Sequence, residues 1–219
     1  MNSKSQIGQD IWLDENIFRG KTNGVFIEVG AFDGISCSNT YFFEKERAWT
    51  GILIEPHTLN FEEMINNSNR NSIMENIAID SKEGEVDFFM MDGACDILSG
   101  IMENYDVRHR QRINSELDSF NLNPFEHRHQ TKQQIVKVKT DTLQSLIVKH
   151  NLTNIDFVSI DVQGSELKVL ESIDFEKSNI YCFLIENNFG EKNIENFLSE
   201  KGYQLVAKLS YDDVYIKLK

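Results

Sequence analysis

Val25-Phe26-Ile27-Glu28-Val29-Gly30-Ala31-Phe32-Asp33-Gly34 is an apolar run that carries an acid near its end and then pivots on two glycines. The polar stretch Ser36-Cys37-Ser38-Asn39-Thr40 follows at once and reads as a helix opening. A buried strand, a glycine-pivoted turn and a helix start come in the order in which α/β folds build a nucleotide pocket. Gly30 and Gly34 are expected to let the backbone approach a ligand where a Cβ would block it. Glu28 is poorly suited to a phosphate and well suited to a cation or a hydroxyl pair. The stretch therefore predicts a nucleoside-bearing cofactor that carries no pyrophosphate.

Three more apolar runs end in acids. Ile52-Leu53-Ile54 leads into Glu55-Pro56, Phe157-Val158-Ser159-Ile160 into Asp161, and residues 180–185 into Glu186. Parallel strands buried on both faces appear as continuous hydrophobic runs, and ligands of open α/β sheets bind outside the carboxyl ends of the strands. Unpaired carboxylates are costly to bury, so four of them at strand ends point to one acidic crevice. Each acid taken alone has a plainer reading, as a helix cap or the partner of a lysine.

With 219 residues the chain can bury a sizeable core, and one domain over 1–219 is expected, opening with a helical segment at 1–23. Asp and Glu number 35 against 22 Lys and Arg, for a formal net charge of −13, which argues against nucleic acid as a partner. Cys37, Cys95 and Cys182 are odd in number and form no CxxC pair. Free thiols suggest a reducing, cytoplasmic setting. No stretch has the apolar length of a signal peptide or a membrane span.

Ile7, Ile11, Trp12, Ile17 and Phe18 recur at roughly helical spacing, predicting a short helix before the first strand. Strands are then expected at 24–30, 51–55, 72–79 and 86–91, with helices at 37–47 and 58–67. The turn Lys82-Glu83-Gly84-Glu85 reads as a hairpin-like link between the last two of these strands. Downstream, helices at 140–150, 165–173 and 191–201 alternate with strands at 155–161 and 180–186. Tyr203 to Leu209 and Val214 to Leu218 close the chain as a hairpin around Ser210-Tyr211-Asp212-Asp213.

Residues 92–134 break this rhythm and hold His109, His127 and His129 together with Arg108, Arg110, Arg112 and Arg128. A long segment of weak pattern inside a compact domain usually forms a lid or a binding element, so this insertion is expected to meet the substrate. Its plainer reading is a solvated helical decoration. For a metal, His127 and His129 would share one face of a strand, and Asp161, Glu166, Glu186 and His109 could combine as a mixed oxygen and nitrogen set. Neither set has a diagnostic spacing, and no metal is expected.

The stretch 28–34 with Glu55-Pro56 resembles the cofactor signature of class I S-adenosylmethionine-dependent methyltransferases. More narrowly, the chain is similar to FkbM-family methyltransferases. The matching pieces are Ser5-Gln6-Ile7-Gly8-Gln9-Asp10, Ser38-Asn39-Thr40-Tyr41, residues 49–56, Leu98-Ser99-Gly100-Ile101, residues 105–109 and residues 156–166. Each piece is weak alone, but their order and spacing cover nearly the whole chain. The resemblance implies an α/β, Rossmann-like class I methyltransferase fold with helices on both faces. Its sheet would be seven-stranded and mostly parallel, with a C-terminal antiparallel hairpin. It also implies Glu28, Gly30, Asp33, Gly34, Glu55, Pro56 and Asp161 at the cofactor, and transfer to oxygen, often on a sugar or another polyhydroxylated molecule. Gln163 departs from the pattern, since family members usually carry an acid there.

The residue chemistry suits S-adenosylmethionine as well. Glu55 ends the second strand, where an acid accepts hydrogen bonds from a ribose diol in doubly wound folds. An acid-lined crevice favours the cationic sulfonium and ammonium groups. Ala78 and Ile79 could wall the adenine. Ser38 and Asn39 could bind the methionine carboxylate, or could simply cap the helix. Asp161 is expected to take the acceptor's proton, with His109 as its rival. Ser99, Tyr105, Arg108 and His109, with Glu166 and Glu186, are expected on the acceptor side. A nicotinamide-dependent oxidoreductase is the runner-up and lacks the third glycine under a pyrophosphate. An idle cofactor-binding module on the same fold is the other alternative.

Overall fold

β1 (Val25–Val29) is the pivot of the sheet in the computed structural model, which describes residues 2–93, 96–121 and 132–218. It pairs in parallel with β2 (Thr50–Ile54) on one side and with β8 (Asn154–Ile160) on the other. The sheet grows outward from β2 to β3 (Ile73–Glu75) and from β8 to β9 (Asn179–Glu186), all parallel. β11 (Asp212–Lys217) runs antiparallel to β9, and β10 (Tyr203–Leu209) antiparallel to β11. The resulting order is β10-β11-β9-β8-β1-β2-β3, seven strands with a closing hairpin. Because β2 and β8 leave β1 in opposite directions, the chain reverses there, and a crevice opens at the carboxyl ends of β1 and β8.

Both faces of this sheet are covered, as the unbroken apolar runs require. Ile27, Val29, Ile52, Ile54, Val158, Ile160, Phe183 and Ile185 face a cluster closed by α5 (Leu143–Lys149), α6 (Glu166–Glu171) and α7 (Lys192–Glu200). Phe26, Leu53, Phe157, Cys182 and Leu184 face the other way. There they meet α1 (Gln9–Leu13), whose last turn widens into a π-helical turn to Phe18, with α2 (Tyr41–Arg47) and α3 (Thr58–Asn67). Strand geometry sends successive side chains to opposite faces, so each strand feeds both cores.

Four expectations need correction. The helix expected from residue 37 opens only at Tyr41, because 36–40 folds back around Glu28, with Cys37 at φ 60°. The strand expected over 72–79 breaks after Glu75. Asn76 turns its amide onto the carbonyls of Glu55 and Pro56, and Ala78–Ile79 becomes β4 of a second sheet. No hairpin joins β4 to β5 (Gly84–Asp92), because β7 (Lys132–Asp141) inserts between them. β7 itself was not expected. It pairs with β5 along its whole length, in the order β4-β7-β5-β6 with β6 at Gly100–Ile101. The insertion is thus framed by the second sheet, to which it adds β6, and its helix α4 (Val107–Asn121) brings Arg112 to the crevice.

Candidate active site

The crevice holds a cavity of about 460 Å³, within the range of small-molecule and cofactor sites. Glu28, Gly30, Ser38, Asn39, Glu55, Pro56 and Asp161 line it from the large sheet, and Ala78, Ile79 and Ser99 from the second. Phe88 and Ile101 extend the apolar wall begun by Ala78 and Ile79. Carboxylates dominate its charge. Glu28, Glu55, Asp96, Asp161 and Glu186 face it, against Arg112 as its one Lys or Arg among the described residues.

Glu28 is almost fully buried, and its oxygens accept from Ser38 Oγ, Asn39 N and Thr40 Oγ1 at 2.6–3.1 Å. It folds the loop after β1 around itself. Burial raises its pKa, and the Arg70 guanidinium pulls the other way. Arg70 donates to Glu44, the Gly34 carbonyl, Ser38 and Thr40, and so clamps the same loop from behind. Ser38 Oγ also accepts from the Thr40 and Tyr41 amides, which is the capping reading of that residue. Asn39 donates to Ser159 Oγ at 3.1 Å, while its buried Oδ1 has no hydrogen-bond donor.

Glu55 accepts from the Phe32 amide on one oxygen and the His57 amide on the other, both at 2.8 Å. Burial pushes its pKa up to about 7, with the charges of Asp161 and Asp96 adding to the rise. Asp161 accepts from Gln163 Nε2 at 2.9 Å, and the same nitrogen reaches Glu186 at 3.1 Å. Burial, then the charges of Glu186 and Asp212, hold the Asp161 carboxyl well above the usual range. Burial and the charge of Glu166 push Glu186 up to about 7.

Both glycines of the turn are required by packing, and Gly30 also lines the cavity. A Cβ on Gly30, at φ 85°, would stand 1.8 Å from the Asp161 carbonyl oxygen. One on Gly34, at φ 76°, would meet Met64 Cγ at 2.8 Å. Asp33 turns back to accept from the Ile35 and Ser36 amides. Neither Asp33 nor Gly34 lines the cavity.

A profile of the methyltransferase FkbM domain matches residues 28–205, most of the chain. The chain belongs to the FkbM methyltransferase family. Among solved structures, the FkbM methyltransferase of Methylobacillus flagellatus KT is similar at 12% identity and a TM-score of 0.56. The match covers 97% of this chain and 48% of that one, so this chain spans about half the length of that relative. A methyltransferase from Pyrococcus furiosus follows at 13% identity and a TM-score of 0.45, covering 96% of this chain and 82% of that one. The human methyltransferase 10 domain containing protein follows at 10% and 0.43, covering 95% and 79%. At such identity the likeness to the Methylobacillus protein speaks for the fold alone. No curated protein matches the chain.

The insertion of this FkbM-family chain places its residues unevenly. Arg108, His109, Glu166 and Glu186 surround a smaller cavity of about 140 Å³ beside the main one, and Glu186 lines both. Arg108 is paired with Asp106 and Glu191 and lies over the Phe189 ring. His109 packs against Gly164 and edge-on to Phe189, outside the main cavity. Burial depresses its pKa. Glu166 accepts from the Val162 and Gly164 amides and braces the loop after β8; burial lifts it to about 7. Tyr105 is buried, with its hydroxyl on the Leu98 carbonyl. His127 and His129 lie outside the described residues. Among those described, no cluster of three His, Cys, Asp or Glu is arranged to hold a metal.

Arg112 reaches the cavity from the insertion expected to meet the substrate, although its own role was not singled out, and Ser159 and Arg70 are site residues that no expectation named. Arg112 had a signal, since it follows Arg108 by one helical turn on α4. Ser159 sat one residue before the last apolar position of β8. Nothing marked Arg70.

Proposed function

We propose that this chain is an S-adenosylmethionine-dependent O-methyltransferase acting on a hydroxyl of a sugar or another polyhydroxylated small molecule. The observation that carries this reading is the wall itself. Asp161, at the carboxyl end of β8, faces the same 460 Å³ cavity as Glu55 at the end of β2. The residues fit the cofactor. Each Glu55 oxygen accepts one backbone amide and keeps a lone pair for a diol hydroxyl. The donor-free Asn39 Oδ1 suits an ammonium. Ala78, Ile79, Phe88 and Ile101 offer an apolar face to adenine. When bound there, S-adenosylmethionine supplies an electrophilic methyl group on a sulfonium.

The protein's part is to hold the acceptor oxygen in line and to take its proton. Asp161 is assigned the proton, because it lines the cavity and His109 does not. A cation held nearby favours the ionised carboxylate, which offsets the rise that burial imposes on Asp161. Gln163 donates to that carboxylate and Arg112 holds the Gln163 amide, while Ser99 lines the cavity from the second sheet. Arg108 already serves two carboxylates, so its role is to anchor α4 rather than to bind an anionic acceptor. A nicotinamide cofactor is disfavoured, since the turn after β1 has Gly30 and Gly34 but no third glycine for a pyrophosphate. The thiols of Cys37 and Cys182 are free, which suits a cytoplasmic setting. No helix among the described residues is long and apolar enough to cross a membrane.

The test is turnover of a hydroxylated acceptor panel by two variants. Asp161→Asn should lose most methyl transfer yet keep the fold, because it removes a charge that Glu186 and Asp212 oppose. His109→Ala should keep most of it. The reverse pattern would move the base to His109, and full activity in both would leave positioning as the sole source of rate.

A further inference from the structure

Arg112 comes from the insertion helix α4, yet its Nη1 lies 3.1 Å from Oε1 of Gln163 on the loop after β8. A guanidinium only donates, so this contact fixes which way the Gln163 amide points. Its nitrogen is left with two N–H groups, and both have acceptors. One is Asp161 Oδ1 at 2.9 Å and the other Glu186 Oε2 at 3.1 Å. The two carboxyls stand at the ends of adjacent strands and share this one nitrogen as donor. Gln163 holds this bridge from a left-handed backbone at φ 56°, a conformation that persists only where its surroundings impose it.

We propose that Gln163 is a positioning residue that sets the charge of the Asp161–Glu186 pair, and that Arg112 orients its amide for that purpose. Two carboxyls this close do not both ionise without help. The groups around them add to the difficulty. Asp212 on β11 and Glu55 beyond β2 face Asp161, and Glu166 on α6 faces Glu186. The Cys37 thiol, in the loop after β1, senses the Asp161 charge. Arg112 is the cation that favours ionised Glu186, 3.9 Å away. The Gln163 amide therefore gives each carboxylate a donor without adding charge, and the pair keeps one proton and one negative charge ready for an acceptor hydroxyl. The last step rests on the reading of Asp161 as the base.

The experiment is a side-chain carboxyl titration by NMR on the full chain labelled with ¹³C in Asp and Glu, with no acceptor present. Wild-type Asp161 and Glu186 should titrate as a pair in two steps. Gln163→Met keeps length and removes both donors, and the lower step should rise by about one pH unit or more. Arg112→Met, at a partly exposed position, should move it the same way and serves if Gln163→Met does not fold. Unmoved titrations in both variants would overturn the proposal. The acid limb of the pH–rate profile should move with the titration while the KM for S-adenosylmethionine stays put. A shifted titration with an unmoved limb would uphold the charge-setting role and overturn Asp161 as the base.

Discussion

Glu55→Gln probes the cofactor site at its most constrained point. The wild-type carboxylate is buried and accepts one backbone amide on each oxygen, from Phe32 and His57, at 2.8 Å. Substitution puts an NH₂ where one of those oxygens stood. That nitrogen meets a backbone N–H donor to donor and leaves a diol one acceptor instead of two. A hydrogen bond to a charged acceptor is worth about 1.5–3 kcal/mol. The dissociation constant of S-adenosylhomocysteine should therefore rise by about 10- to 150-fold, read by isothermal titration calorimetry. A second arm uses pH. Burial lifts Glu55 to about 7, so wild-type affinity should decline as pH falls through that value and the carboxyl gains a proton. The variant should lack the part of that decline due to residue 55. In a thermal-shift series the stabilisation of the wild type should grow with the logarithm of ligand concentration above the dissociation constant, and NAD or NADP should do nothing. An unchanged dissociation constant in the variant would refute the diol assignment. A collapse of the ligand-free melting temperature would make Glu55 a brace between two loops instead.

The ligand-free protein should melt at a higher temperature at pH 5.5 than at pH 8. Glu28, Glu55, Asp161, Glu166, Glu186 and Asp212 all have raised pKa values, so the folded state holds protons that the unfolded chain has released. Stability then falls as pH rises from the unfolded carboxylate range through about 7; a flat or rising profile would contradict the acid crevice. Gly30→Ala should cost about 2–5 kcal/mol in urea unfolding, from left-handed strain plus the clash with the Asp161 carbonyl. Gly190→Ala, also at positive φ but in open space, should cost only about 1–2 kcal/mol, and equal costs would remove packing as the reason for Gly30. Arg70→Met should cost up to about 3–5 kcal/mol and weaken S-adenosylhomocysteine binding, because it leaves buried Glu28 without its opposing charge and Glu44 with Lys45 as its remaining cation. A mild effect on both measurements would show that the loop after β1 holds itself.

The parts of the fold that were legible in the sequence are those whose signal is local. Phe26 to Val29, Ile52 to Ile54 and Phe157 to Ile160 read as buried strands because each must fill both faces at once. Helix α3 has the limits expected of it, although Leu59 and Ile65 stay exposed and Met64 is its fully buried apolar side chain. β7 was missed although Val136, Val138 and Thr140 alternate with exposed Lys137 and Lys139. The alternation was hidden by its position after a stretch of weak pattern. The single strand expected over 72–79 failed because nothing within those residues shows that Asn76 will cap the carbonyls of Glu55 and Pro56.

At the site, sequence by itself determined which carboxylates stand at strand ends, because chain direction in a parallel sheet follows from the order of the apolar runs. It identified the pieces that tie the chain to its family for the same reason, as each is a short contiguous string. Only tertiary structure decided what those carboxylates are bonded to. Glu28 is bonded by Ser38, Asn39 and Thr40 of its own loop, Glu55 by the Phe32 and His57 amides and Asp161 by Gln163, and all three face the cavity, whereas Glu166 braces the loop after β8 and stays off it. It also decided that Gly30 packs against the Asp161 carbonyl, and that Arg112 reaches Gln163 across 51 positions of sequence. Such contacts join residues far apart along the chain. Their geometry is set by how helices and strands pack, and a local pattern of residues carries no record of that packing.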